Sequence, residues 1–107
     1  MDWTVETLNV EVDAEIDALP EDMQAKIARI GFLIQEKGLD RVREPYVKHL
    51  HGKLWEMRVK GRDGIARGLY VTARGRRVVI LRVFVKKTQK TPRSEINLAL
   101  KRAKELS

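Results

Sequence analysis

The basic residues of this chain recur at strand spacing. In KLWEMRVK, alternation sets Glu56, Arg58 and Lys60 on one side and Trp55, Met57 and Val59 on the other. IARGLYVTA places Arg67, Leu69 and Val71 opposite Ala66, Gly68, Tyr70 and Thr72. RRVVILRVFVKK sets Val79, Leu81, Val83 and Val85 against Val78, Ile80, Arg82, Phe84 and Lys86, and Lys87 and Lys90 follow in its exit loop. Period-two geometry can gather Arg58, Lys60, Arg67, Arg82, Phe84 and Lys86 on one sheet face. The cations of such a face bind phosphate, and Phe84 or Tyr70 can stack on a splayed base, so the face suits RNA. Lys53, just before the first of these stretches, extends the basic set. Any single cation here is better explained by a solvated sheet face; for four or five of one sign on neighbouring strands that reading loses its advantage.

His49 and His51 flank Leu50. A histidine titrates near neutral pH and suits proton transfer, and His-x-His is a weak metal pattern. The plainer reading of both is a surface histidine with an ordinary hydrogen bond. Trp3 and Trp55 are read as core or interface residues. No metal or cofactor is expected, since the basic half holds few carboxylates and the chain has no cysteine. That absence also excludes a thiol nucleophile and cysteine-ligated zinc or iron–sulfur sites.

Charge is segregated along the chain. Residues 1–25 carry eight acids and no lysine or arginine, whereas the rest hold all 22 basic residues and seven acids. Between Arg41 and Arg93 sixteen basic residues face three acids, Glu44, Glu56 and Asp63. A field of this sign attracts polyanions and speeds encounter with them. No apolar run approaches the roughly 20 residues of a membrane span. The early acids do not read as a signal peptide, so a cytoplasmic protein is expected. The length of 107 residues suits one domain, residues 1–107.

These residues need a scaffold. Trp3 to Leu8 alternates as a short first strand. Asn9 can cap a helix over residues 10–18, and Pro20 suits the first turn of a second helix. Met23, Ile27, Ile30 and Ile34 form its apolar stripe, and Gly38 is its stop. Residues 39–52 read as a connection broken by Pro45. Three strands joined by short turns follow, which implies an antiparallel meander. Thr91 can then cap a last helix with Pro92 at its first position, Glu95 in its first turn, and Ile96, Ala99, Leu100 and Ala103 buried. The expected fold is α+β, β-α-α-β-β-β-α. A four-stranded, mostly antiparallel sheet carries two N-terminal helices on one face and leaves the other partly open beside the C-terminal helix.

KLWEMRV, IARGLYV and VVILRVFVKKTQKTPRSEINLALKRAKEL together resemble the RelE/HigB toxin superfamily, in its phage-derived HigB-like branch. The likeness runs over roughly residues 3–106. It implies a RelE-like toxin of a toxin–antitoxin pair, an endoribonuclease that cuts mRNA on the ribosome without a metal. It also implies a helix-turn-helix antitoxin, with operator DNA met only through that antitoxin. A different class is also open: ParE-like toxins share this fold and block DNA gyrase by binding, and a plain RNA-binding module is a third.

By position, Arg58 and Arg67 match the family's active-strand cations and Lys86 and Lys87 its basic residues after the last strand. Arg58 and Arg67 suit stabilisation of the charge that grows on phosphate, and a lysine crowded by cations can act as acid or base. Lys53, Lys60, Arg82, Phe84 and Lys90 are the expected RNA contacts. Glu56 stands where some members have lysine, which makes it a general base or a structural partner of Arg58. The late tyrosine that some members use has no counterpart after Tyr70, and Gly68 replaces a usual apolar residue.

Overall fold

A computed structural model describes residues 2–43, 45–87 and 89–106. Glu44, counted above among the acids, and Thr88 of the exit loop lie outside the described residues. The elements are β1 (Thr4–Thr7), α1 (Val10–Asp17), α2 (Glu21–Lys37), a single 3-10 turn (Leu39–Arg41), β2 (Val47–His51), β3 (Leu54–Gly61), β4 (Gly64–Ala73), β5 (Arg77–Lys86) and α3 (Arg93–Ala103). The helix boundaries follow local chemistry. The Asn9 side chain accepts from Val12 N at 3.1 Å, which caps α1. Gly38, at φ 92°, ends α2 in a conformation that favours glycine.

The sheet has five strands, not four, in the order β1-β5-β4-β3-β2. The additional strand, β2, lies in the segment expected to be an irregular connection. Only Val47 of its residues is buried, so its sequence shows no apolar alternation. As an edge strand it pairs with β3 alone and has no second neighbour to demand buried side chains. β1 pairs in parallel with β5, and every other pairing is antiparallel.

Both faces are covered by apolar layers. Met23, Ile27, Ile30 and Ile34 of α2 pack with Val12 of α1 on Met57, Val59, Ala66, Tyr70, Val78, Ile80 and Val83. Ile96 and Ala99 of α3 pack on Leu54, Leu69, Val71, Val79, Leu81 and Phe84. This division corrects the expected faces of β5. Strict alternation would set Val79, Leu81, Val83 and Val85 together. A register shift opposite Leu69 and Tyr70 pairs them with Arg82 and Ile80, leaving Leu81 as the extra residue. Each side chain beyond the bulge therefore changes face, and Val83 joins Val78 and Ile80 under α1 and α2.

Side chains from two helices satisfy the displaced backbone. Glu15 of α1 accepts from Val83 N at 3.0 Å, and Arg102 of α3 donates to Leu81 O at 2.8 Å. A second correction concerns the start of α3. Pro92 occupies the position just before the helix, and no side chain caps it. The Thr91 hydroxyl, expected there as the cap, is instead engaged with Glu56 and Arg67. Pro20 likewise stands immediately before α2 rather than within its first turn.

Candidate active site

The meander register brings the central residues together. Arg58 on β3 lies directly opposite Arg67 on β4, and Arg67 is opposite Phe84 on β5. One pair further along, Glu56 faces Leu69, which faces Arg82. Paired residues share a face, so Glu56, Arg58 and Arg67 stand together on the side that carries α3.

The segment leading into α3 closes on them. Arg58 Nη2 and Arg67 Nη2 each donate to the Gln89 carbonyl at 2.8 Å. Arg67 Nη1 donates to Thr91 Oγ1 at 3.3 Å, and that hydroxyl in turn donates to Glu56 Oε2. Arg58 completes the circuit with its Nε and Nη2 3.1 Å from Glu56 Oε1. Glu56 and Arg67 are fully buried, whereas the Arg58 side chain is 21% exposed. Burial pulls the Arg67 guanidinium below its ordinary value; the Glu56 carboxylate opposes that shift and Arg58 adds to it. Guanidinium is so basic that Arg67 remains cationic at neutral pH. Both Glu56 oxygens are occupied inside the protein, so the geometry supports the role of partner to Arg58 rather than that of a solvent-facing base.

The other expected residues are distributed less evenly. Lys60 and Lys86 flank Ile65 across the three strands, on the same face as the arginines, and both are exposed. Lys87 is exposed beyond the end of β5, beside a shallow depression that Lys60 and Ile65 also line. Lys53 and Lys90 are exposed in the β2–β3 turn and in the exit loop.

Arg82 and Phe84 are engaged elsewhere. Arg82 contacts Glu95 of α3 at 2.8 Å and Glu15 of α1 at 2.9 Å. Its guanidinium lies 5.7 Å from the centre of the Phe84 ring, which is itself buried in the layer under α3. The hydrogen bond that Arg82 donates to Glu95 raises the Arg82 pKa, against its burial and with the help of the charges of Glu15 and Glu95. The opposite holds for Glu15. Burial disfavours its charge, but hydrogen bonds from Arg102 and Val83 N and the charges of Arg82 and Arg102 leave the carboxyl below its usual value.

The histidines do not join the arginines. His49 is opposite Trp55, whose alternating side chain belongs to the α1–α2 face, and its Nε2 lies 2.7 Å from the Gly52 carbonyl. His51 is exposed at the end of β2. Among the described residues no three histidines or carboxylates are placed to hold a metal ion. No helix is long and apolar enough to cross a membrane.

Two participants escaped the sequence. Gln89 contributes only its carbonyl, which every residue possesses, so its identity carried no signal. Thr91 carried a misleading one, because a threonine before proline at a helix start reads as a cap.

Residues 14–104 match the family described as "Phage derived protein Gp49-like (DUF891)". No curated protein matches the sequence. Among solved structures, the chain is similar to a mutant of the E. coli toxin RelE in the free state. The two share 16% identity, with a TM-score of 0.64 over 95% of this chain and 98% of that one. At that identity the likeness speaks for the fold, and it agrees with the five-stranded sheet flanked by helices. The chain belongs to the phage-derived Gp49-like family, one of the RelE/HigB-type families of the RelE-like toxin superfamily.

Proposed function

We infer that this toxin is a metal-independent endoribonuclease that cuts mRNA on the ribosome. One observation carries the reading: two arginines on adjacent strands converge on a single oxygen, each at 2.8 Å. A phosphate oxygen seated where the Gln89 carbonyl lies would receive the same two donors. Charge-assisted bonds of that kind strengthen as charge grows on the oxygen.

In the reaction the ribose 2′-hydroxyl loses its proton and attacks phosphorus. The bond from phosphorus to the 5′-oxygen breaks, and that oxygen takes up a proton. The products are a 2′,3′-cyclic phosphate and a 5′-hydroxyl. Arg58 and Arg67 stabilise the added negative charge of the phosphorane. Lys86 and Lys87, exposed beyond the arginine pair, supply the acid and base, and Lys53, Lys60 and Lys90 extend the basic surface along the RNA backbone. Glu56 holds Arg58 in place.

Membership of a toxin family implies an antitoxin partner. That partner is of the helix-turn-helix type, brings acids to the basic face and carries the pair to operator DNA. The toxin acts in the cytoplasm.

The test is to incubate the purified chain with ribosomes on a defined mRNA and map new 5′ ends, with gyrase supercoiling assayed in parallel. Cuts in the ribosomal A site that are lost in Arg67→Ala and Arg58→Ala support the reading. Intact mRNA together with blocked supercoiling would replace it with gyrase inhibition.

A further inference from the structure

On the sheet face away from the arginine pair there is a cavity of about 520 Å³ that the proposed cleavage does not use. The volume lies within the range of small-molecule sites. Trp55 and Tyr70, directly opposite on β3 and β4, help line it, and His49 continues the row onto β2. The His49 ring meets Trp55 edge-on, with centroids 5.2 Å apart. Trp3 and the segment from Leu39 to Arg43 line it as well. Both tryptophans of the chain therefore border one cavity.

Burial separates this arrangement from ordinary core. On the same face of β3, Met57 and Val59 are buried, whereas Trp55 is 39% exposed. Tyr70 is 1% exposed, yet its hydroxyl has no hydrogen-bond partner among the described residues. The hydroxyl is not among the described buried atoms that lack a partner, so it keeps access to the cavity and can bond to whatever fills it. Burial raises the phenol to about 12, so at neutral pH it is protonated and able to donate. Asp40, Arg43 and Lys48 are the charged residues that line the cavity, and Arg43 binds the Asp40 backbone carbonyl through Nε at 3.2 Å. Its terminal nitrogens make no hydrogen bond or ion pair among the described residues, and the Asp40 carboxylate can accept an amino or hydroxyl proton.

Aromatic walls select a flat aromatic ring. The phenol donor selects a ring that carries an acceptor, and Arg43 selects an attached anion. We propose that this cavity is a nucleobase-binding site, which takes the base of a nucleotide against Trp3 and Trp55, the Tyr70 hydroxyl on a ring acceptor and the phosphate toward Arg43. Stacking on an aromatic side chain is tolerant of base identity, so recognition is of a base rather than of one base. The ligand is either a free mononucleotide or one unpaired base of a single strand. The site stands independently of the cleavage reading, because the two lie on opposite faces of the sheet.

The cavity contains its own reporters. The full chain is titrated with adenosine 5′-monophosphate, adenosine, inorganic phosphate and a 2′-O-methyl tetranucleotide that cannot be cleaved, with tryptophan fluorescence read throughout. Adenosine 5′-monophosphate is expected to quench saturably, adenosine to bind about tenfold more weakly, and phosphate alone to change nothing. If the natural source is a strand, the tetranucleotide binds at least tenfold more tightly than the mononucleotide; if it is a free nucleotide, the order reverses.

Tyr70→Phe keeps the ring and is expected to weaken binding about tenfold. Arg43→Gln should bring the mononucleotide down to the level of adenosine. Arg67→Ala should leave the affinity unchanged. The proposal is overturned by the absence of saturation with either nucleotide at millimolar concentration in a chain that circular dichroism shows to be folded. It is equally overturned by binding that survives Tyr70→Phe and Arg43→Gln but disappears in Arg67→Ala.

Discussion

Replacing Thr91 by valine keeps the shape of a buried side chain and removes one hydroxyl. That hydroxyl donates to Glu56 Oε2 and accepts from Arg67 Nη1, and Thr91 is 6% exposed, so water has little access to either partner. A hydrogen bond to a charged group contributes about 2 kcal/mol, and its loss leaves a buried carboxylate oxygen short of a donor. For a domain of this size 1 kcal/mol moves Tm by roughly 4 °C, so Thr91→Val should lower Tm by about 8 °C. Thr91→Ser keeps the hydroxyl and loses a methyl worth about 0.8 kcal/mol, or roughly 3 °C. Thermal unfolding followed by circular dichroism, with urea unfolding to check that the m-value is unchanged, measures both. The valine variant should also lose more ribosomal cleavage than the serine variant at a temperature where both are folded. A valine variant as stable as wild type, or more stable than the serine variant, would refute the reasoning. It would mean that Thr91 contributes apolar packing and that the Glu56–Thr91–Arg67 chain is incidental.

Arg58→Ala and Arg67→Ala should each reduce cleavage by about 10²-fold or more, the loss that follows removal of one transition-state charge partner; near-normal rates in both would move the active face elsewhere. Glu15 has a depressed pKa in the folded state, so its contribution to stability is complete above the ordinary value of 4.5 and is lost as pH falls through the lower folded value. Urea midpoints measured from pH 3 to 7 should therefore fall more steeply on the acid side in wild type than in Glu15→Gln. Gly61→Ala would set a Cβ 2.6 Å from Met23 Cγ and 2.8 Å from Asp22 Oδ2, and should cost about 1–3 kcal/mol by overpacking β3 against α2. Met23→Ala in the same chain should recover part of that loss in a double-mutant cycle.

The strands β3, β4 and β5 and the three helices were legible because each announces itself locally. Alternation marks a strand, a stripe such as Met23, Ile27, Ile30 and Ile34 marks a helix, and Asn9 and Gly38 mark ends. β2 was not legible, because an edge strand with one neighbour leaves most of its side chains in water and shows no period. Arg58 and Arg67 were legible as strand cations, and the alternation that put them on one face held in β3 and β4. It failed in β5, where a one-residue bulge is a matter of pairing with β4 and leaves no mark in composition.

What the sequence by itself determined about this protein is the set of elements, the basic character of its second half and the two arginines at strand spacing. All of these depend on residues within a turn or two of each other. Only the tertiary structure decided what those arginines face, since a carbonyl at position 89 and a hydroxyl at position 91 reach them from the far end of the meander. Only it could assign Arg82 to the carboxylates of α1 and α3. It alone gathered Trp3, Trp55 and Tyr70 around one cavity. Long-range contacts of this kind are set by register and crossover, and the chain acquires them only when its elements pack.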